Sequence, residues 1–184
     1  MLHSEYQDLG SVTLPMWQGR QKYMHTFDLA APIMPPGFED YMTIVRQLTG
    51  NHTARLAHMT VDEKVIEPGM SQRKPDAHVD GCFMEDHWGH DGPGWAHYCN
   101  RIPFDRMAVI VASDVPGCMV YPGEFDGTPR NDGDLEHIRD QLGGGELLCA
   151  NRGYLLSPDC VHESMRFHIA TRRIFLRIAL PSLN

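Results

Sequence analysis

From about residue 52 onward the chain alternates short runs of β-forming residues with glycine and proline turns. Runs of this length and composition, bounded by turn signals, predict strands. They fall at 53–61, 65–67, 77–83, 107–113, 118–121, 146–150, 153–156 and 169–180. Two stretches break the pattern. Residues 38–48 (FEDYMTIVRQL) put Phe38, Tyr41, Met42, Ile44, Val45 and Leu48 on one helical face, with Gly50 as the stop. Residues 134–142 (DLEHIRDQL) are helical in period and run into Gly143, Gly144 and Gly145. Residues 1–37, ending in Pro35-Pro36-Gly37, predict an extended arm with a short strand or two. The pattern therefore describes an α+β, mainly β, single domain over 1–184. It has an N-terminal arm and helix (1–50), a jelly-roll core (53–180) and one or two flanking helices.

Composition adds limits. With 184 residues and 42% hydrophobic positions the chain can build a true core. Lys plus Arg total 16 against 24 acidic residues, a net charge of −8, so nucleic acid is not an expected partner. The longest strongly apolar run, 107–112, is far too short to span a bilayer, and no membrane partner is expected. The first ten residues lack a basic stretch followed by an apolar one, so no signal peptide is expected. Cys82, Cys99, Cys118, Cys149 and Cys160 are odd in number and form no CxxC pair. Reduced thiols in a cytoplasmic setting follow as the expectation. No phosphate loop, dinucleotide fingerprint, nucleophile elbow or HExxH motif occurs.

Eleven histidines direct attention to metal chemistry. Residues 74–83 (KPDAHVDGCF) contain His78-Val79-Asp80. On a strand, residues two apart share a face, so an imidazole and a carboxylate can meet one ion. A distant histidine would complete a 2-His-1-carboxylate set, the ligand set of non-haem Fe(II) sites. His162 follows an apolar strand and a Ser-Pro turn about 84 residues later. Residues 166–180 (RFHIATRRIFLRIAL) then read as a hairpin whose second strand carries Arg172, Arg173 and Arg177 among apolar residues. A buried arginine needs an anion, and a bound dicarboxylate would supply one in bidentate geometry.

The order His-x-Asp, His, then Arg ten or eleven residues on resembles the Fe(II)/2-oxoglutarate-dependent oxygenases, which have the double-stranded β-helix form of the jelly roll. The resemblance spans about residues 53–180. It implies that His78, Asp80 and His162 ligate Fe(II). It implies that Arg173 or Arg172 takes the far carboxylate of the cosubstrate 2-oxoglutarate, with O2 as the second cosubstrate. Only one arginine can serve, because neighbours on a strand face opposite ways. Arg173 is preferred: it shares a face with Phe175 and Arg177, whereas Arg172 shares one with Ile174, Leu176, Ile178 and Leu180. Arg177 is then available to bind substrate. The implied activity is a dioxygenase that hydroxylates a small molecule or an exposed protein residue. The retained Asp80 disfavours halogenation.

Downstream of the motif, His87, His90 and His97 lie in a glycine-rich stretch with Trp88 and Trp95. This reads as a loop over the site mouth, the two tryptophans lining a substrate wall. Trp17, Tyr23 and Phe27 in the arm are available for the pocket or for a homodimer contact. Two rival readings are a cupin-like metal enzyme that does not use 2-oxoglutarate and a non-catalytic jelly-roll binding protein.

Overall fold

The computed structural model describes residues 1–50, 56–80, 107–130 and 133–181. Eleven strands and one α-helix follow in chain order: β1 (Leu2–Ser4), β2 (Tyr6–Ser11), β3 (Gln21–Asp28), α1 (Met42–Thr49), β4 (Leu56–Ile66), β5 (Met107–Ser113), β6 (Cys118–Tyr121), β7 (Gly123–Phe125), β8 (Glu146–Leu147), β9 (Arg152–Leu156), β10 (Val161–Ser164) and β11 (Thr171–Pro181). The protein is mainly β. A six-stranded antiparallel sheet has the order β2-β9-β5-β11-β4-β3, and a three-stranded sheet has the order β10-β6-β8. β1 and β7 form a separate pair. Residues 77–79 extend the smaller sheet: the amides of His78 and His162 each donate to the other's carbonyl, at 2.9 and 2.8 Å, and Val79 N–H donates to Gly133 O.

Alternation along the strands sorts side chains into three cores. On β11, Ile174, Leu176, Ile178 and Leu180 face outward and pack with Ile44, Val45 and Leu48 of α1. Phe175 faces the other way and meets Val109, Val111, Val120 and Cys160 between the two sheets. Ala77, Val79, Tyr121 and Val161 lie behind the smaller sheet, under Leu135 and Ile138. Each fully buried aliphatic side chain contributes roughly 1.5–3 kcal/mol. Gly153 on β9 is what lets α1 come so close, because a Cβ there would collide with Leu48. The helix ends at Gly50, whose φ of 52° suits a residue without a Cβ.

The structure alters several sequence expectations. The arm holds three strands, because β3 pairs along β4 and extends the large sheet. The predicted strands 53–61 and 65–67 merge into the single strand β4. The helix is shorter than 38–48, beginning at Met42 after a 3-10 turn over Glu39–Tyr41. Residues 134–142 form a 3-10 segment, Glu136–Gln141, with a kink at Ile138. Residues 166–180 are not a hairpin. β10 belongs to the small sheet and β11 to the large one, so the connection crosses between layers. In the arm, Phe27 is core and Trp17 packs against that core, while Tyr23 is half exposed. Among the described residues no helix is long and apolar enough to cross a membrane.

Candidate metal centre and pocket

Two segments bring three candidate ligands together. His78 and His162 are directly paired across the bridge between residues 77–79 and β10. Both side chains therefore emerge on one face, with ring centroids 4.4 Å apart. Asp80, two residues beyond His78, returns to that face. The Oδ2 of Asp80 lies 3.8 Å from Nε2 of His162. One donor atom from each of His78, Asp80 and His162 lies within 4.8 Å of the others. Donors gathered this closely are near enough to turn toward one shared ion.

The hydrogen bonds fix which ring nitrogen faces inward. Nδ1 of His78 is 2.7 Å from the carbonyl oxygen of Asp76, and Nδ1 of His162 is 2.9 Å from that of Cys160. A carbonyl only accepts, so each Nδ1 carries the proton and each Nε2 keeps its lone pair. This is the outer-sphere arrangement that orients metal-binding imidazoles. Burial and the neighbouring His162 push the His78 imidazole down to about 3, which keeps it neutral and able to coordinate. Burial by itself would raise the Asp80 carboxyl, but Arg177 and the two imidazoles hold it well below the usual carboxylate range. The donor set thus fits a divalent transition metal.

The three groups open onto a cavity of about 260 Å³ between the sheets. Arg173 and Arg177 of β11 line it, with Phe175 and Val111 as apolar wall. Arg177 Nη1 reaches both oxygens of Asp80, at 3.3 and 3.4 Å. Arg173 is 1% exposed. Its Nε donates to Val115 O at 2.8 Å and its Nη1 to Gln72 Oε1 at 2.6 Å. Both acceptors are neutral, and among the described residues no carboxylate lies within ion-pair distance of Arg173. Burial pushes its guanidinium down to about 10. Gly117 makes room for this group: a Cβ there would come within 3.1 Å of Arg173 Cζ and 2.9 Å of the Phe167 ring.

Four of the expected site residues therefore meet in one place beside Arg177. Arg172 does not. It is exposed on the outer face of β11, its guanidinium 4.9 Å above the Trp17 ring. Arg177 is turned to Asp80 rather than left open for substrate. Trp88, Trp95 and the loop histidines His87, His90 and His97 lie outside the described residues, as do Cys82 and Cys99. Sequence reasoning missed Gln72, which holds Arg173, and the basic pair Arg73-Lys74 on the cavity wall. The signal was available: a basic pair within seven residues of a ligand has little chain in which to leave the site.

No protein-family model matches the chain, and comparison with curated proteins gives no match. The chemistry of the site itself is therefore what speaks to function.

Proposed function

We propose that the chain is an Fe(II)- and 2-oxoglutarate-dependent dioxygenase on a double-stranded β-helix, hydroxylating a small molecule or an exposed protein residue. One observation carries the reading: His78, Asp80 and His162 converge on a cavity that also holds a buried arginine with no carboxylate at ion-pair distance among the described residues. The order of strands supports the jelly-roll assignment. β4, β5, β9 and β11 lie in the large sheet, and residues 77–79, β6, β8 and β10 lie in the small one, so the chain passes repeatedly between two facing layers.

Nε2 of His78, Nε2 of His162 and a carboxylate oxygen of Asp80 would hold the iron. Three protein ligands leave the remaining positions open to ligands from solution. Bound there, Fe(II) with 2-oxoglutarate and O2 supplies the oxidising chemistry, releasing succinate and CO2. Arg177 keeps Asp80 ionised and fixes its orientation. Arg173 pairs with the far carboxylate of the cosubstrate, gaining a counter-ion at a distance that no carboxylate of the described residues reaches. Val111 and Phe175 exclude water from that pair, which strengthens it.

Anaerobic titration with Fe(II) and then 2-oxoglutarate tests the reading, through the weak visible charge-transfer band of the iron chelate. The expected result is a band that needs both additions and is lost in His78→Ala. Metal binding without a 2-oxoglutarate-dependent band would point to a cupin-like metal enzyme. Absence of metal binding would leave a non-catalytic jelly-roll protein.

A further inference from the structure

The cavity carries more positive charge than one dicarboxylate requires. Besides Arg173 and Arg177, Arg73 lines it. Arg73 and Arg173 share one ring: their Cζ atoms lie 5.7 and 5.4 Å from the centroid of Phe175. Neither guanidinium has a carboxylate at ion-pair distance among the described residues, and Asp114 and Asp62 act on Arg173 only from farther away. Arg73 is half-buried and so more accessible than Arg173, which lines the cavity but is itself buried. Arg73 lines the same cavity as His78, Asp80 and His162. A guanidinium resting over an aromatic ring keeps its N–H edge for an in-plane anion. All this cationic surface is gathered in a chain of net charge −8, so the local field opposes that of the whole molecule.

We infer that Arg73 is a substrate-recognition residue and that the substrate is a small molecule bearing a carboxylate, which Arg73 takes at the outer end of the cavity. The inference rests on the proposed oxygenase reading, in which Arg173 is already committed to 2-oxoglutarate. Phe175 separates the two cationic subsites, the inner one for cosubstrate and the outer one for substrate.

The test uses the full chain and two affinities. The first is for 2-oxoglutarate with Mn(II) as a redox-silent metal. The second is for 3-phenylpropionate and hexanoate, against their primary amides and phenyl phosphate, by calorimetry or saturation-transfer NMR. It is measured with the 2-oxoglutarate site filled and again in metal-free protein. Expected is carboxylate binding in the wild type, no amide binding, and about a tenfold or greater loss in Arg73→Gln. Arg73→Lys, which keeps the charge and controls for folding, should restore part of it. Arg173→Gln should instead abolish 2-oxoglutarate binding and spare the probes. Carboxylate binding that ignores Arg73→Gln, a preference for phenyl phosphate, or no probe binding at all would overturn the inference. So would Arg73→Gln weakening 2-oxoglutarate as much as Arg173→Gln does. A wild type that binds the probes through Arg73 but never binds 2-oxoglutarate sinks the oxygenase reading and leaves the anion subsite standing.

Discussion

Two clusters of buried charge sit on opposite faces of the large sheet, and they are built to opposite rules. On the outer face, Glu63 of β4 accepts from Gln18 N–H, Arg20 N–H, Arg20 Nε and Nη2, and the Tyr41 hydroxyl. Arg20 is in turn completed by Asp40 and Gly37 O, and packs over Phe38 and Tyr41. Every charge there is answered within the chain, so the cluster ties the arm and α1 to the sheet. On the inner face, among the described residues, Arg173 hydrogen-bonds only to a carbonyl and an amide oxygen. His78 and His162 point lone pairs at a shared space rather than at protein donors. The difference separates structural charge from functional charge. A cluster closed on itself holds the fold, and one left open is completed by something from outside.

Mutation should divide the clusters. Glu63→Ala leaves Arg20 and the Tyr41 hydroxyl buried without their acceptor, and should cost about 3–5 kcal/mol in urea unfolding. A cost below about 1 kcal/mol would put the outer cluster in the same class as the inner one.

Acid should divide them next. His58 and His78 both have lowered pKa values, by desolvation at His58 and by desolvation with His162 at His78. Below about pH 6.5 the unfolded chain binds protons that the folded one refuses, so the stability these groups contribute is present above that pH and lost as pH falls. In metal-free protein His78 alone brings a slope approaching ~1.4 kcal/mol per pH unit near pH 5, which should flatten in His78→Gln. Glu63 has a lowered pKa because its bonds to Arg20, Gln18 and Tyr41 overcome burial. Its contribution holds above about pH 4.3 and fails only below it. Urea midpoints at pH 7, 5.5 and 4.5 would reveal whether the inner cluster gives way first.

Arg173→Met removes a desolvated cation that has no carboxylate at ion-pair distance among the described residues. The expected change in metal-free stability is at most about 1 kcal/mol of either sign, with 2-oxoglutarate binding abolished. A loss as large as that of Glu63→Ala would make Arg173 a structural residue. Arg172→Ala, on the exposed face over Trp17, should cost about 0.5–1 kcal/mol of cation–π contact and leave ligand affinity untouched.

Strand periodicity was the legible part of the fold. β5 and β6 appear at the bounds that the apolar runs set, and the two faces of β11 divide as their alternation indicates. The arm was harder to read, because β3 is held by its neighbour β4 rather than by its own sequence. The supposed hairpin before β11 was misread for the same reason: pairing partners lie far away in sequence, and local pattern does not name them. At the site, His78 and Asp80 follow from the two-residue period of a strand. Arg73 could be suspected from its closeness to His78, but nothing local announces Gln72, whose importance comes from contact with a strand about 100 residues on.

The bridge between His78 and His162 also bears on how the protein acquires its site. The paired residues are 84 positions apart, so the constellation has high contact order and forms only after a large loop has closed. A chain still emerging from the ribosome carries the His78-Asp80 arm but not its counterpart. It therefore binds metal as a weak bidentate peptide, and tight loading must await docking of β10. Refolding followed by a metal-sensitive signal and by a backbone probe should give one common rate, set by that docking. On the proposed reading, metal uptake would then report the docking of β10.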